Sequence, residues 1–146
     1  MLRKLELEDM DRAAAVHRLS FDNSLPTLAG LHTLEEDRWF FRERMFKTCE
    51  LWGYFDNKEL VGIIAFREGW IDQLYILPVS QRRGIGTALL QIAKTRSPSL
   101  RLWTFQRNGH ARRFYERQGF TLVEETDGSA NEEKEPDAMY LWQSGC

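Results

Sequence analysis

Between residues 70 and 96 the hydrophobic pattern of the chain changes period, and that change most constrains the architecture. Trp70 to Leu77 reads as a strand. Ile85, Ala88, Leu89, Ile92 and Ala93 then recur at the spacing of one helix face up to about Arg96, where Ser97-Pro98-Ser99 ends the pattern. The connecting segment, Pro78-Val79-Ser80-Gln81-Arg82-Arg83-Gly84-Ile85-Gly86-Thr87, places two glycines at the start of the helix. Such a loop exposes backbone N–H groups at the positive end of the helix dipole. With Arg82 and Arg83 beside them, those donors form an anion site suited to a pyrophosphate. One exposed dipole contact contributes only about 0.3 to 1 kcal/mol, so several must act together. Two common phosphate fingerprints are not met: the third glycine of G-x-G-x-x-G would fall at Leu89, and no Gly-Lys-Ser/Thr follows. Taken alone, the segment reads first as an ordinary turn and helix start.

The rest of the chain supplies a sheet around this unit. Met1 to Leu5 is a short strand, and Glu8 and Asp9 open a helix to about Ser20. Pro26 and Gly30 punctuate a linker. Thr33 and Glu36 match the capping-box spacing before an aromatic-rich helix with Trp39, Phe40, Phe41, Met45 and Phe46. Glu50 to Phe55, Leu60 to Phe66 and Trp70 to Leu77 predict an antiparallel meander, with turns at Asp56-Asn57 and Glu68-Gly69. After the Gly84 helix come a strand from Leu100 to Phe105, a short helix from Gly109 to Gln118 closed by Gly119, and strands over Phe120 to Glu125 and Ala138 to Trp142 around a polar loop. The expected fold is α/β of the mixed α+β kind: one domain over residues 1–146, with a mostly antiparallel sheet of about seven strands and helices on both faces. A ligand belongs where neighbouring parallel strands diverge.

Composition narrows the function classes. At 146 residues the chain fits one domain, and 42% hydrophobic content supports a core. The longest apolar run, Leu60 to Phe66, is far short of the roughly 20 residues a membrane helix needs. Glu6, Glu8 and Asp9 interrupt the N-terminal segment where a signal peptide requires apolar residues. Cys49 and Cys146 have neither redox nor metal spacing, so a reduced, cytoplasmic, metal-free protein without a membrane partner is expected. The net charge of −2 argues against a nucleic-acid partner. That sum hides segregation. Gln81 to Arg117 carries nine basic residues against Glu116 alone, which leaves −10 for the remainder. The segment Glu124 to Asp137 holds seven acids and one lysine. It is either a solvated face or an attractor for a cationic acceptor.

Leu74-Tyr75-Ile76-Leu77-Pro78, Gln81-Arg82-Arg83-Gly84-Ile85-Gly86, Asn108 with Ala111, Phe114-Tyr115 and Gly119-Phe120 together resemble the GNAT superfamily of N-acetyltransferases. The resemblance covers nearly the whole chain through the order of elements and is specific from about Leu74 to Phe120. It implies a splay between the fourth and fifth strands with acetyl-CoA bound in it. Leu74, Tyr75 and Ile76 would then meet the pantetheine arm through backbone groups. Arg82, Arg83, Gly84, Ile85, Gly86 and Thr87 would hold the pyrophosphate, and Asn108 would contact the arm from its other side. It further implies direct attack of an amine on the thioester in a ternary complex, with Tyr115 as the general acid for the departing thiolate. Freeing the lone pair of an alkylammonium of pKa about 10.4 at pH 7 costs about 4.6 kcal/mol, so a base or a water relay is useful.

The pattern is incomplete in one respect. Many family members carry a Glu base on the fifth strand, where this chain has Trp103. Asp72 is the nearest acidic candidate. Glu133 and Asp137 are further ones, and His17 and His32 are candidates for the acceptor side. Trp103, Phe105, Tyr140 and Trp142 alternate on two strands and are candidate walls of the acceptor pocket, or simply core. The acceptor is expected to be a small-molecule or peptide amine. Homodimerisation is common in the family and carries over by analogy only. Two other functions fit the sequence less well: an acyl-CoA-binding regulatory module without turnover, and a nucleotide-phosphate enzyme.

Overall fold

A computed structural model describes residues 1–145, so the expectation for Cys146 lies outside the described residues. The strands are β1 (Leu2–Lys4), β2 (Glu50–Asp56), β3 (Glu59–Arg67), β4 (Trp70–Ile76), β5 (Ser99–Phe105), β6 (Thr121–Glu125) and β7 (Asp137–Gln143). They form one sheet in the order β1-β2-β3-β4-β5-β7-β6, antiparallel throughout except where β4 meets β5. The helices are α1 (Met10–Ser24), α2 (Leu34–Phe40), α3 (Phe46–Thr48), α4 (Ile85–Arg96) and α5 (Gly109–Arg117).

The apolar run that is too short for a membrane becomes the central strand β3, buried on both faces. Ile63 and Ala65 face one cluster with Met10, Ala13 and Val16 of α1 and with Phe41 and Met45. Ile64 and Phe66 face the other, with Ile85, Leu89, Leu90 and Ala93 of α4 and Tyr115 of α5. Period-two alternation on a strand covered on both sides therefore sets the two-layer core, each fully buried Ile contributing about 1.5 to 3 kcal/mol. No helix among the described residues is long and apolar enough to cross a membrane.

Local chemistry explains most boundaries. Thr33 and Glu36 cap α2 reciprocally, Thr33 N donating to Glu36 Oε1 at 2.7 Å and Glu36 N to Thr33 Oγ1 at 3.1 Å. α1 runs four residues past the expected Ser20 and stops at Leu25, directly before Pro26. The aromatic-rich helix is not uniform: it widens into a π turn over Phe41–Met45 before α3. Gly119, at φ +93°, takes the left-handed position past the end of α5.

The expected splay is present. A crossover through α4 makes β4 and β5 parallel neighbours, yet a single backbone pair joins them, Trp70 with Arg101. β5 by contrast pairs with β7 along its whole length. A register shift between Ala65 and Phe66 in the β3–β4 ladder adds local twist on the other side of β4. Beyond Trp70 the β5-facing edge of β4 therefore opens onto a cleft.

Candidate functional site

Two cavities of about 500 and 440 Å³ occupy this cleft and share Ser24, Leu74, Tyr75, Asn108, Ala111 and Tyr115. They are the two ends of one passage. The smaller lies toward the start of α4, and its lining includes Arg82, His110 and Arg117 but no acid. The larger lies toward β5 and the β6–β7 loop, and its lining includes Asp72, Glu133 and Asp137 but no Lys, Arg or His.

The positive end is built from backbone. Gly84, at φ +78°, sits at the N-cap of α4, and Arg82 also adopts a left-handed conformation at φ +65°. The next backbone donor, Ala88 N, is satisfied by Gly84 O at 3.0 Å. Among the described residues no protein acceptor takes the N–H groups of Arg82 through Thr87, so the loop offers a concave row of donors. A Cβ on Gly86 would lie 3.1 Å from Phe114 Cζ, so that glycine lets the helix start pack under the ring. The two arginines differ. Arg82 lines the cavity, whereas the Arg83 side chain reaches away to Asp56 at 3.0 Å and leaves its backbone N–H without a protein acceptor among the described residues.

Ile76 also departs from expectation. Its carbonyl already accepts from Ser20 Oγ at 3.0 Å and Gln81 Nε2 at 3.1 Å, which leaves Leu74 and Tyr75 as the less occupied part of the strand edge. Sequence reasoning missed Ser20, Ser24 and Gln118. Ser20 and Ser24 stand four apart on one face of α1, and that polar pair is their only sequence signal. Gln118 donates from Nε2 to Thr87 Oγ1 at 3.0 Å and ties the end of α5 to the start of α4.

Tyr115 stands at the junction. Its ring packs against Phe114, Phe120 and Tyr140, and among the described residues no hydrogen bond holds its hydroxyl. Burial, with a smaller effect of neighbouring Tyr75, pushes its phenol up, so it keeps its proton at neutral pH. Asn108 caps α5 by accepting from Ala111 N at 3.2 Å on Oδ1 while lining both cavities.

At the negative end Trp103 and Phe105 of β5 form part of the wall, and Phe21 of α1 meets Phe105 edge-on at 6.2 Å between ring centroids. Tyr140 and Trp142 are not part of it. The Tyr140 ring is fully buried with its hydroxyl between Arg112 and Glu116, and Trp142 lies beneath Lys94. Asp72 is already engaged: Arg67 grips it at 2.7 and 3.1 Å, and Cys49 Sγ donates to it at 3.1 Å. Burial first, and that contact second, push the Cys49 thiol up to about 11.

The β6–β7 loop combines exposed acids with others that line the cavity, and most of the seven are engaged. Glu135, which is buried, meets Arg107 at 2.6 and 3.0 Å, and Glu132 meets His32 at 2.8 Å. Glu125 pairs with Arg112, and Asp127 caps Ser129 N. Asp137 accepts from Thr126 Oγ1 and from Asn131 Nδ2. Gly128, at φ +82°, lies so close to the Glu135 main chain that no side chain fits there. His32 thus tethers the loop rather than facing the cavity. His17 packs among Phe21, Phe41 and Tyr75 with its Nδ1 buried and unpartnered, and burial pushes it down to about 4.

Comparison with known proteins agrees with this geometry. The profile of the acetyltransferase (GNAT) domain matches residues 31–131. The chain is 33% identical over 84 residues to the peptidyl-lysine N-acetyltransferase YiaC of Escherichia coli, a match that covers 57% of this chain and 58% of that protein. The chain thus spans less than two thirds of that curated relative. The solution structure of apo YjaB from Escherichia coli superposes with a TM-score of 0.82 at 20% identity, covering 99% of this chain and 98% of that one. The PaiA N-acetyltransferase of Thermoplasma acidophilum, solved in complex with coenzyme A, superposes with a TM-score of 0.72 at 25% identity over 98% of each chain.

Proposed function

Because the chain belongs to the GNAT acetyltransferase family, we propose that it moves an acetyl group from acetyl-CoA to an amine, with both substrates in the β4–β5 cleft. The observation that carries this reading is the row of unpaired N–H groups from Arg82 to Thr87, which opens on a passage that leads past Tyr115 to a separate acidic cavity. The residues present fit the cofactor. The loop N–H groups and Arg82 suit a pyrophosphate, and the unpaired edge of β4 at Leu74 and Tyr75 suits the amide-bearing arm, with Asn108 opposite. Acetyl-CoA supplies an activated thioester and a thiol leaving group.

Within that frame Tyr115 keeps a proton at the junction and donates it to the departing sulfur. Ser20 and Gln81 fix the end of β4 through the Ile76 carbonyl, which holds the strand edge in place. Asp72, the acidic candidate for the base, accepts two hydrogen bonds from Arg67, which disfavours it for that role. The test is thiol release from acetyl-CoA across monoamines, polyamines, amino acids, aminoglycosides and a peptidyl lysine, the acceptor named for the Escherichia coli relative. Amine-dependent release that Tyr115→Phe sharply slows is expected. Coenzyme A binding with no amine-stimulated release would return the chain to an acyl-CoA-binding module.

A further inference from the structure

The larger cavity has an unusual charge balance. Three carboxylates line it, Asp72, Glu133 and Asp137, and no cationic side chain does. Two of the three are engaged from behind, Asp72 by Arg67 and Asp137 by Thr126 and Asn131. Among the described residues Glu133 has neither a hydrogen bond nor an ion pair. Its placement is nonetheless fixed from both sides. Glu132 is held by His32, and Glu135 by Arg107, which also donates to Thr27 Oγ1 at 2.6 Å. These tethers join the loop to the segment between α1 and α2. Glu133 and Tyr75 line the same cavity, and Tyr75 also lines the smaller one, so the carboxylate shares its cavity with a residue of the junction.

We infer that Glu133 binds the ammonium of the acceptor, and that the acceptor is a small primary amine with an aromatic or aliphatic body. Among the other lining residues Phe21, Leu25, Ile71, Leu102, Trp103 and Phe105 match an apolar body, the polar ones leave room for a few hydrogen bonds, and an anionic body would meet three carboxylates. The cavity holds about 500 Å³, a volume that suits a small molecule, and Ala130, Asn131 and Glu133 of the loop form one of its walls. The inference rests on the acetyl-transfer reading only in naming this cavity the acceptor side.

Calorimetric titration of the coenzyme A-saturated protein with phenethylamine, and separately with phenethyl alcohol, tests it without turnover. Wild type is expected to bind the amine at least tenfold more tightly than Glu133→Gln does, with Glu133→Asp between them. The alcohol should bind both proteins alike. In turnover, Glu133→Gln should raise the amine KM at least tenfold and leave the acetyl-CoA KM unchanged. Equal amine affinity in wild type and Glu133→Gln would overturn the inference, as would a higher kcat/KM for a peptidyl lysine than for phenethylamine. Amine binding that depends on Glu133 with no thiol release would uphold the inference and sink the transferase reading alone.

Discussion

The two ends of the cleft are made of different material. The end near α4 is built from main chain: glycines, a helix start and a row of N–H groups, with arginine and histidine at its rim and no acid in its lining. The end near β7 is built from side chains, aromatic and acidic, that come from α1, β4, β5 and a cross-braced loop. Backbone donors recognise a phosphate whatever their side chains are, so they serve a cosubstrate that does not vary. Side chains can be exchanged one at a time without unmaking a turn, so they serve the partner that sets specificity. On the proposed reading, the opposed signs would also point an anionic cosubstrate and a cationic acceptor to opposite ends of the cleft.

The largest effect should come from the residue both ends share. Tyr115→Phe keeps the ring contacts and removes the proton, so kcat for thiol release should fall by about 10² to 10⁴. Coenzyme A affinity, measured by calorimetry, should stay within twofold. A variant that loses affinity and kcat together would mean that Tyr115 builds the cofactor end instead of serving the junction.

Acid sensitivity separates the shared floor from the acidic end. His17 lies under Tyr75 within range of Arg18, Asp22, His32 and Asp37, and has a folded pKa of about 4 against an ordinary 6.5. As pH falls below 6.5 the unfolded chain takes up a proton that the folded chain refuses. The stability present above pH 6.5 is therefore lost progressively down to about pH 4, by about 3 kcal/mol. Urea unfolding between pH 4 and 7 should show this slope in wild type and lose it in His17→Phe. Retention of the slope would assign it to carboxylates whose pKa folding lowers, such as Asp9 beside Arg3.

The cross-braces offer a test of independence. Arg107→Ala leaves Glu135 buried without its partner and frees the loop from Thr27, at a cost of about 1 to 3 kcal/mol. The thermal midpoint should drop and the amine KM rise, while coenzyme A affinity holds. A parallel loss of coenzyme A affinity would mean that the two ends are mechanically coupled.

The same contrast explains what the sequence revealed. Strand and helix order, the capping box at Thr33, the central strand and the Gly84 loop all depend on neighbours within a few residues, and such signals are written locally. The acceptor end was legible only in fragments. Glu133 and Asp137 have the same residue chemistry and stand four apart, yet one is unpaired and the other bound by Thr126 and Asn131, a difference made by loop closure. Asp72 was named for its strand, but Arg67 grips it across the β3–β4 turn. Tyr140 and Trp142 share the alternation of Trp103 and Phe105 but stand on β7, where they pack under Arg112 and Lys94. The π turn at Phe41–Met45 has no periodic signature that separates it from an ordinary helix.

The smallest effect distinguishes two arginines that are adjacent in sequence. Arg82 points into the phosphate end of the cleft, and its replacement by alanine removes a charged donor, so coenzyme A affinity should fall by about tenfold. Arg83 is half exposed and turned toward Asp56 on the β2–β3 turn, where its ion pair is open to solvent and screened by salt. Arg83→Ala should change coenzyme A affinity by less than about twofold, since the loop offers the Arg83 N–H whatever side chain the residue carries. A tenfold loss in both variants would mean that Arg83 leaves Asp56 for the phosphate, and Asp56→Ala should then tighten binding. The division between a backbone-built and a side-chain-built end holds only if the two arginines differ.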